Sequence, residues 1–200
     1  MVDIQDDSYN YLEHAELAVL LGDIPKAKLN FTRFAKLNAP FPEFLRAQTH
    51  CSWAECFSAE YKYPEAILKY RKALQINPKL FKAYNGWGVC LSKMGRYDDA
   101  IQIFKKAIEI SDKNPVVVIN VVLVLLLKGN EKEALESFTV ATKKTSKIML
   151  RSVISGFQDE CQKLEKRVAE IENQDERVLV QERRKGIERL LNLLLEKQKA

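Results

Sequence analysis

Residues 81–114 read FKAYNGWGVCLSKMGRYDDAIQIFKKAIEISDKN, and the same residue types return on both sides of this stretch at an interval of 34. Trp53, Trp87 and Val121 stand in step, followed by a small-residue series of Ala54 and Gly88 that Val122 breaks. Ala66, Ala100 and Ala134 recur in the same phase, as do Tyr70, Phe104 and Phe138, and then Ala73, Ala107 and Ala141. Chance does not keep five columns in register, and a period of roughly 20 to 50 residues marks an array of stacked supersecondary units.

An earlier copy runs through Tyr11, Gly22, Ala27, Phe31 and Phe34, but it lies 39 residues ahead of the next one, with the surplus in the proline-bearing stretch Ala39 to Arg46. Units are therefore placed at about 8–41, 47–80, 81–114 and 115–148, and residues 149–200 form a charged helical segment after them. Each unit reads as two helices around a turn. Gly22, Gly95 and Gly129 sit where a residue free to adopt positive φ ends one helix and releases the next. Pro25 and Pro64 stand in the first turn of a helix, where the missing N–H costs nothing, and Asn114 before Pro115 reads as a cap and first helical residue. Ala66, Tyr70 and Ala73, at i, i+4 and i+7, share one helix face, so small residues let helices approach while the aromatic fills the gap between them.

Composition narrows the class of function. With 46% hydrophobic residues the 200-residue chain can bury a core, and 32 basic against 27 acidic residues leave a mild +5. No dense basic tract gathers as nucleic-acid binding requires, so no nucleic acid is expected as partner; Arg183, Arg184 and Lys185 form only a short cluster, and Arg71, Lys72, Lys105 and Lys106 read as solvated outer faces. Val116 to Leu127 is the longest apolar run, too short for the roughly 20 residues of a membrane span, so no membrane insertion is expected. The first residues carry neither a signal nor a lipidation motif, and Cys51, Cys56, Cys90 and Cys161 lack zinc spacing; the expected location is cytoplasmic, with reduced thiols.

In Trp87, Gly88, Gly95, Tyr97, Ala100, Phe104 and Ala107 the third unit resembles the tetratricopeptide repeat family, and the second keeps Trp53, Ala54, Tyr63, Ala66, Tyr70, Ala73 and Pro78. The resemblance covers about 140 residues, and the outer units depart from it at His14 and Ala15 and at Val121 and Val122. It implies an all-α fold: a right-handed superhelical solenoid of about four helix-turn-helix units, followed by capping or extended C-terminal helices. It also implies a groove lined by the first helix of each unit. Carried onto this chain, the partner-binding candidates are Tyr9, Leu12, Glu16, Gln48, Cys51, Glu55, Lys82, Asn85, Val89, Ile119 and Leu123. Family members that grip an acidic C-terminal tail use Lys, Asn and Arg at inner positions. Here Leu12, Glu16, Ser52 and Glu55 stand there with only Lys82 basic, which argues against such a clamp.

In the C-terminal segment Phe157, Cys161, Leu164, Val168 and Ile171 make a seam of about two heptads, Asn173 to Asp175 break or bend it, and Ile187, Leu190, Leu191 and Leu194 follow on a last helix. These helices either cap the apolar fourth unit, or dock on a partner, on a second copy through residues 149–200, or back in the groove. No catalytic residue, metal site or cofactor is expected. His14 and His50 fall on repeat-core positions, His50, Cys51 and Cys56 point to different helical faces, and no phosphate-binding, zinc-protease or nucleophile-elbow motif occurs. The expected function is an adaptor or scaffold that holds a peptide or helix of another protein; a chaperone-like holder of an apolar client segment is the alternative.

Overall fold

Glycine, proline and asparagine punctuate this chain, and the helices begin and end where they stand. The computed structural model describes residues 4–37, 41–111, 114–142 and 147–199. Among these described residues ten α-helices follow one another and no strand occurs. They are α1 (Ile4–Leu20), α2 (Ile24–Leu37), α3 (Glu43–Ala59), α4 (Tyr63–Ile76), α5 (Phe81–Lys93), α6 (Tyr97–Ile110), α7 (Pro115–Leu127), α8 (Glu131–Thr142), α9 (Lys147–Glu170) and α10 (Gln174–Lys199). The chain divides into two compact units, Met1–Asp99 and Ala100–Ala200. Residues 143–146, at the end of the fourth repeat, and Ala39 and Pro40 of the surplus stretch lie outside the described residues, as do the side chains of Ala141 and Leu194.

Four turns between paired helices share one hydrogen-bond pattern. Gly22, Gly95 and Gly129 take φ of +73°, +74° and +79°. The Gly95 N–H donates to Ser92 O and the Arg96 N–H to Leu91 O, both at 3.0 Å, which is the Schellman arrangement that satisfies the last carbonyls of a helix. Gly22 with Asp23 and Gly129 with Asn130 repeat it. The second repeat closes the same way on Tyr61, a non-glycine at φ +60°, whose N–H donates to Ser58 O while Lys62 N–H donates to Phe57 O. The sequence reading assigned no residue to this turn, because tyrosine carries no positive-φ signal. Its exposed ring rests edge-on against Tyr63, 6.4 Å between centroids.

In the first unit, α1 packs on α2 and α3 on α4, and each hairpin buries small residues against aromatics. Leu12, Ala15 and Ala18 of α1 meet Ala27, Phe31 and Phe34 of α2. Phe41, from the surplus stretch, packs 4.8 Å from the Phe34 ring and, edge-on, 4.8 Å from Tyr9. Helix α3 begins at Glu43, directly after Pro42, so part of the surplus is an extra helical turn. Cys51, Ala54, Ala66, Tyr70, Ala73, Ala83 and Cys90 form the next cluster. A Cβ at Gly86 would collide with the Tyr70 ring, so that glycine is what lets α4 and α5 close on each other. Lys28 of α2 reaches Glu60 at 2.7 Å, a partly buried ion pair that ties the two hairpins.

In the second unit, Asn114 caps α7 by accepting the Val116 N–H at 3.0 Å. Val117, Val118, Val121, Val122, Val124 and Leu125 are buried, and α8, α9 and α10 all pack against this helix. Phe138 of α8 lies 5.7 Å from Phe157 of α9. The seam residues Phe157, Leu164 and Ile171 and the α10 residues Ile187, Leu190 and Leu191 are buried where α9 and α10 pair. Glycine permits the closest approaches: a Cβ at Gly156 would stand 2.6 Å from Ile119 Cδ1, and one at Gly186 would stand 3.2 Å from Leu126 Cδ2. The α9–α10 turn falls at Ile171 to Asn173, and the Arg177 guanidinium donates to Ile171 O from Nε at 3.1 Å and from Nη2 at 2.5 Å. The C-terminal helices therefore cover α7.

Three outcomes follow. Replacing Gly95 by Ala lowers unfolding free energy by about 1 kcal/mol, since the left-handed backbone is costly for any L side chain and the added methyl meets open space. Tyr61→Gly has the opposite sign, with urea denaturation as the measurement. A chain ending at Asn173 exposes Phe157 and Leu164, and light scattering coupled to size exclusion detects its association while the full chain elutes as a monomer.

Candidate functional site

Helices α1 and α3 are the first members of the α1–α2 and α3–α4 hairpins, α5 opens the third repeat, and in the first unit α3 packs beside both α1 and α5. Side chains on one face of each can therefore form a continuous surface. Glu16 of α1, Glu55 of α3 and Lys82 of α5 are exposed on these helices, and Gln48 and Asn85 are half-buried. The Glu55 carboxyl is held above its ordinary range by surrounding protein atoms, and the Lys82 ammonium acts against that shift. Sequence reasoning named Glu55 and Lys82 separately; their electrostatic coupling arises only because α3 and α5 are neighbours.

Other candidates are placed differently. Leu12 and Cys51 are 5% and 4% exposed and belong to the packing between helices, so they present no surface to a partner. Burial pushes the Cys51 thiol up to about 12, which leaves it protonated and unreactive. Tyr9 is exposed with its ring edge on Phe41, and Val89 is half-buried. In the second unit, Ile119 and Leu123 line a cavity of about 450 Å³ whose opposite wall is α9, including Ser155, Gly156 and Asp159. That stretch of α7 is faced by the chain's own helix.

Among the described residues no three His, Cys, Asp or Glu side chains gather as metal ligands, and no helix is long and apolar enough to cross a membrane. His14, expected at a repeat-core position, is exposed on α1, because the core stripe of that helix runs through Leu12, Ala15 and Ala18.

Comparison with known proteins bears on this arrangement. The tetratricopeptide repeat profile matches residues 81–114. Residues 81–114 are a tetratricopeptide repeat. The fold as a whole is similar to solved structures at low identity. MamA is 21% identical, with 68% of this chain and 77% of that one covered and a TM-score of 0.61. Pseudomonas aeruginosa PilF is 18% identical, covering 93% and 77%, with a TM-score of 0.59. YrrB, described as a TPR protein with an unusual peptide-binding site, is 16% identical over 95% of this chain and 91% of that one, with a TM-score of 0.56. Among curated proteins no sequence matches this chain.

Within the tetratricopeptide fold His50 is a half-buried residue of α3. Burial, reinforced by the positive charges of Lys69, Lys72 and Arg46, pushes its pKa down to about 4 from an ordinary 6.5. The unfolded chain thus binds the proton more readily than the folded one between these values. The contribution of His50 to stability is complete above about pH 6.5 and is lost as pH falls to about 4. Urea midpoints of His50→Gln consequently fall less over that window than those of the wild type.

Proposed function

We propose that the chain is an adaptor whose first-unit groove holds a segment of a partner protein. The tetratricopeptide fold serves protein–protein interaction in general. The observation that carries the reading here is the side-by-side packing of α1, α3 and α5, with Glu16, Gln48, Glu55, Lys82 and Asn85 on their accessible faces. Glu55 supplies its recognition chemistry. A carboxylate already crowded by protein gains from a cationic partner group more than a fully hydrated one does, because the surrounding dielectric is low. The segment that fits is one with a basic end near Glu16 and Glu55 and uncharged or apolar residues beyond, extended or helical.

The holder of apolar clients ranks second. Its supporting feature was the apolar fourth repeat, and α9 and α10 already cover α7.

Affinity capture with the full chain from an extract of its source cells tests the adaptor reading. One or two stoichiometric partners are expected, with binding reduced about tenfold or more by Glu16→Ala combined with Glu55→Ala. An unchanged affinity would remove the groove from the reading, and recovery of many unfolded clients would favour the holder.

A further inference from the structure

Helix α3 carries a second set of polar residues on the side away from the groove. Gln48, Ser52 and Glu55 follow one another at i, i+4 and i+7 on one face; Arg46, Thr49, His50 and Trp53, at i, i+3, i+4 and i+7, lie on the opposite one. The second set helps enclose a cavity of about 270 Å³ between α2, α3 and α4. Half-buried Trp53 is its accessible aromatic wall, with the buried rings of Phe31, Phe34 and Phe41 behind it, and Arg46 and Lys72 line it as well.

Its charge is uncompensated. Among the described residues Arg46 and Lys72 form no ion pair, and both are exposed. Lys69 stands over the Trp53 ring, Nζ 2.9 Å from the centroid. Burial and the charge of Lys72 bring Lys69 down to about 8. The three cations together act on His50 with no carboxylate opposing them. Two buried nitrogens, His50 Nδ1 and Trp53 Nε1, have no hydrogen-bond partner among the described residues, an arrangement that native cores rarely leave.

We propose that this cavity is a second protein-binding site, which receives one aromatic or branched aliphatic side chain from an acidic segment of a partner, with the flanking carboxylates on Arg46 and Lys72. The size supports a single side chain: the cavity lies just below the roughly 300–1,000 Å³ of pockets that enclose whole small ligands. The sign of charge separates the two faces of α3. Glu16 and Glu55 repel an acidic segment from the groove, while Arg46, Lys69 and Lys72 attract it to the cavity.

The test is fluorescence anisotropy with the full chain and a labelled peptide Asp-Glu-Phe-Glu-Asp, with oligothymidine as a competing polyanion. Binding is expected to weaken about tenfold when the peptide's Phe is replaced by Ala, to be lost for Lys-Lys-Phe-Lys-Lys, and to weaken with added salt. Arg46→Glu with Lys72→Glu abolishes it, while Glu16→Ala with Glu55→Ala leaves it within about twofold, so the cavity and the groove stand or fall separately. The indole N–H signal of Trp53 shifts on titration. Both charge reversals are at exposed positions, and unchanged circular dichroism shows that the fold persists. The proposal is overturned if the acidic peptide does not bind at about 1 mM, if the Ala peptide binds equally well, if the folded charge-reversal variant retains affinity, or if oligothymidine is preferred through the same residues.

Discussion

Each second helix of the repeats buries an alanine one turn ahead of an aromatic ring. Ala27, Ala66, Ala100 and Ala134 have no accessible surface, and one helical turn further on Phe31, Tyr70, Phe104 and Phe138 are 4% exposed or less. A methyl group at the first position sets how closely a neighbour approaches, and the ring at the second fills the space that the approach leaves. A larger side chain at the alanine would push helices apart and strand the ring in a void, so the period of the alanines is the period of the fold. Phe41 and Gly86 are local adjustments to this rule: one fills a gap opened by the surplus residues, and the other removes a Cβ from the path of Tyr70.

The turns supply the second constraint. A helix pair of this length needs its last carbonyls satisfied within two residues, and the left-handed backbone at positions 22, 61, 95 and 129 does so. With hairpins fixed in this way, α1, α3 and α5 take adjacent places in the first unit and the side chains left over by packing become a surface. Helix α3 has two such surfaces, one carrying Gln48, Ser52 and Glu55 and the other Arg46, His50 and Trp53. Helix α7 has almost none, since valine and leucine surround it and the chain spends its last two helices covering them.

The repeat, its helical class, the glycine turns and, among the described residues, the alanine and aromatic columns were legible in the residues. Identical packing problems receive identical residue types, and such local choices recur at a readable interval. The seam of α9 and the cap at Asn114 were legible for the same reason, since periodicity and capping are local, while the break expected at Asn173 to Asp175 falls at Ile171 to Asn173, with Gln174 and Asp175 already in α10. The left-handed Tyr61 was not, because tertiary packing and the hydrogen bonds of the turn impose a conformation that tyrosine does not itself prefer.

Site chemistry divides in the same way. The resemblance to the repeat family put Glu16, Gln48, Glu55, Lys82 and Asn85 among the groove candidates, but it treated Leu12 and Cys51 as their equals, and only the packed structure turns those two inward. The coupling of Lys82 to Glu55, the wall that α9 builds against Ile119 and Leu123, and the meeting of Arg46, His50, Trp53 and Lys72 around one cavity join residues from separate helices. What the sequence by itself determined is therefore the local repeat and the small-and-aromatic pattern that makes it stack. Which faces meet, and which charges are left facing water, was decided by the tertiary structure, because burial and electrostatic coupling depend on distances between segments that no local pattern encodes.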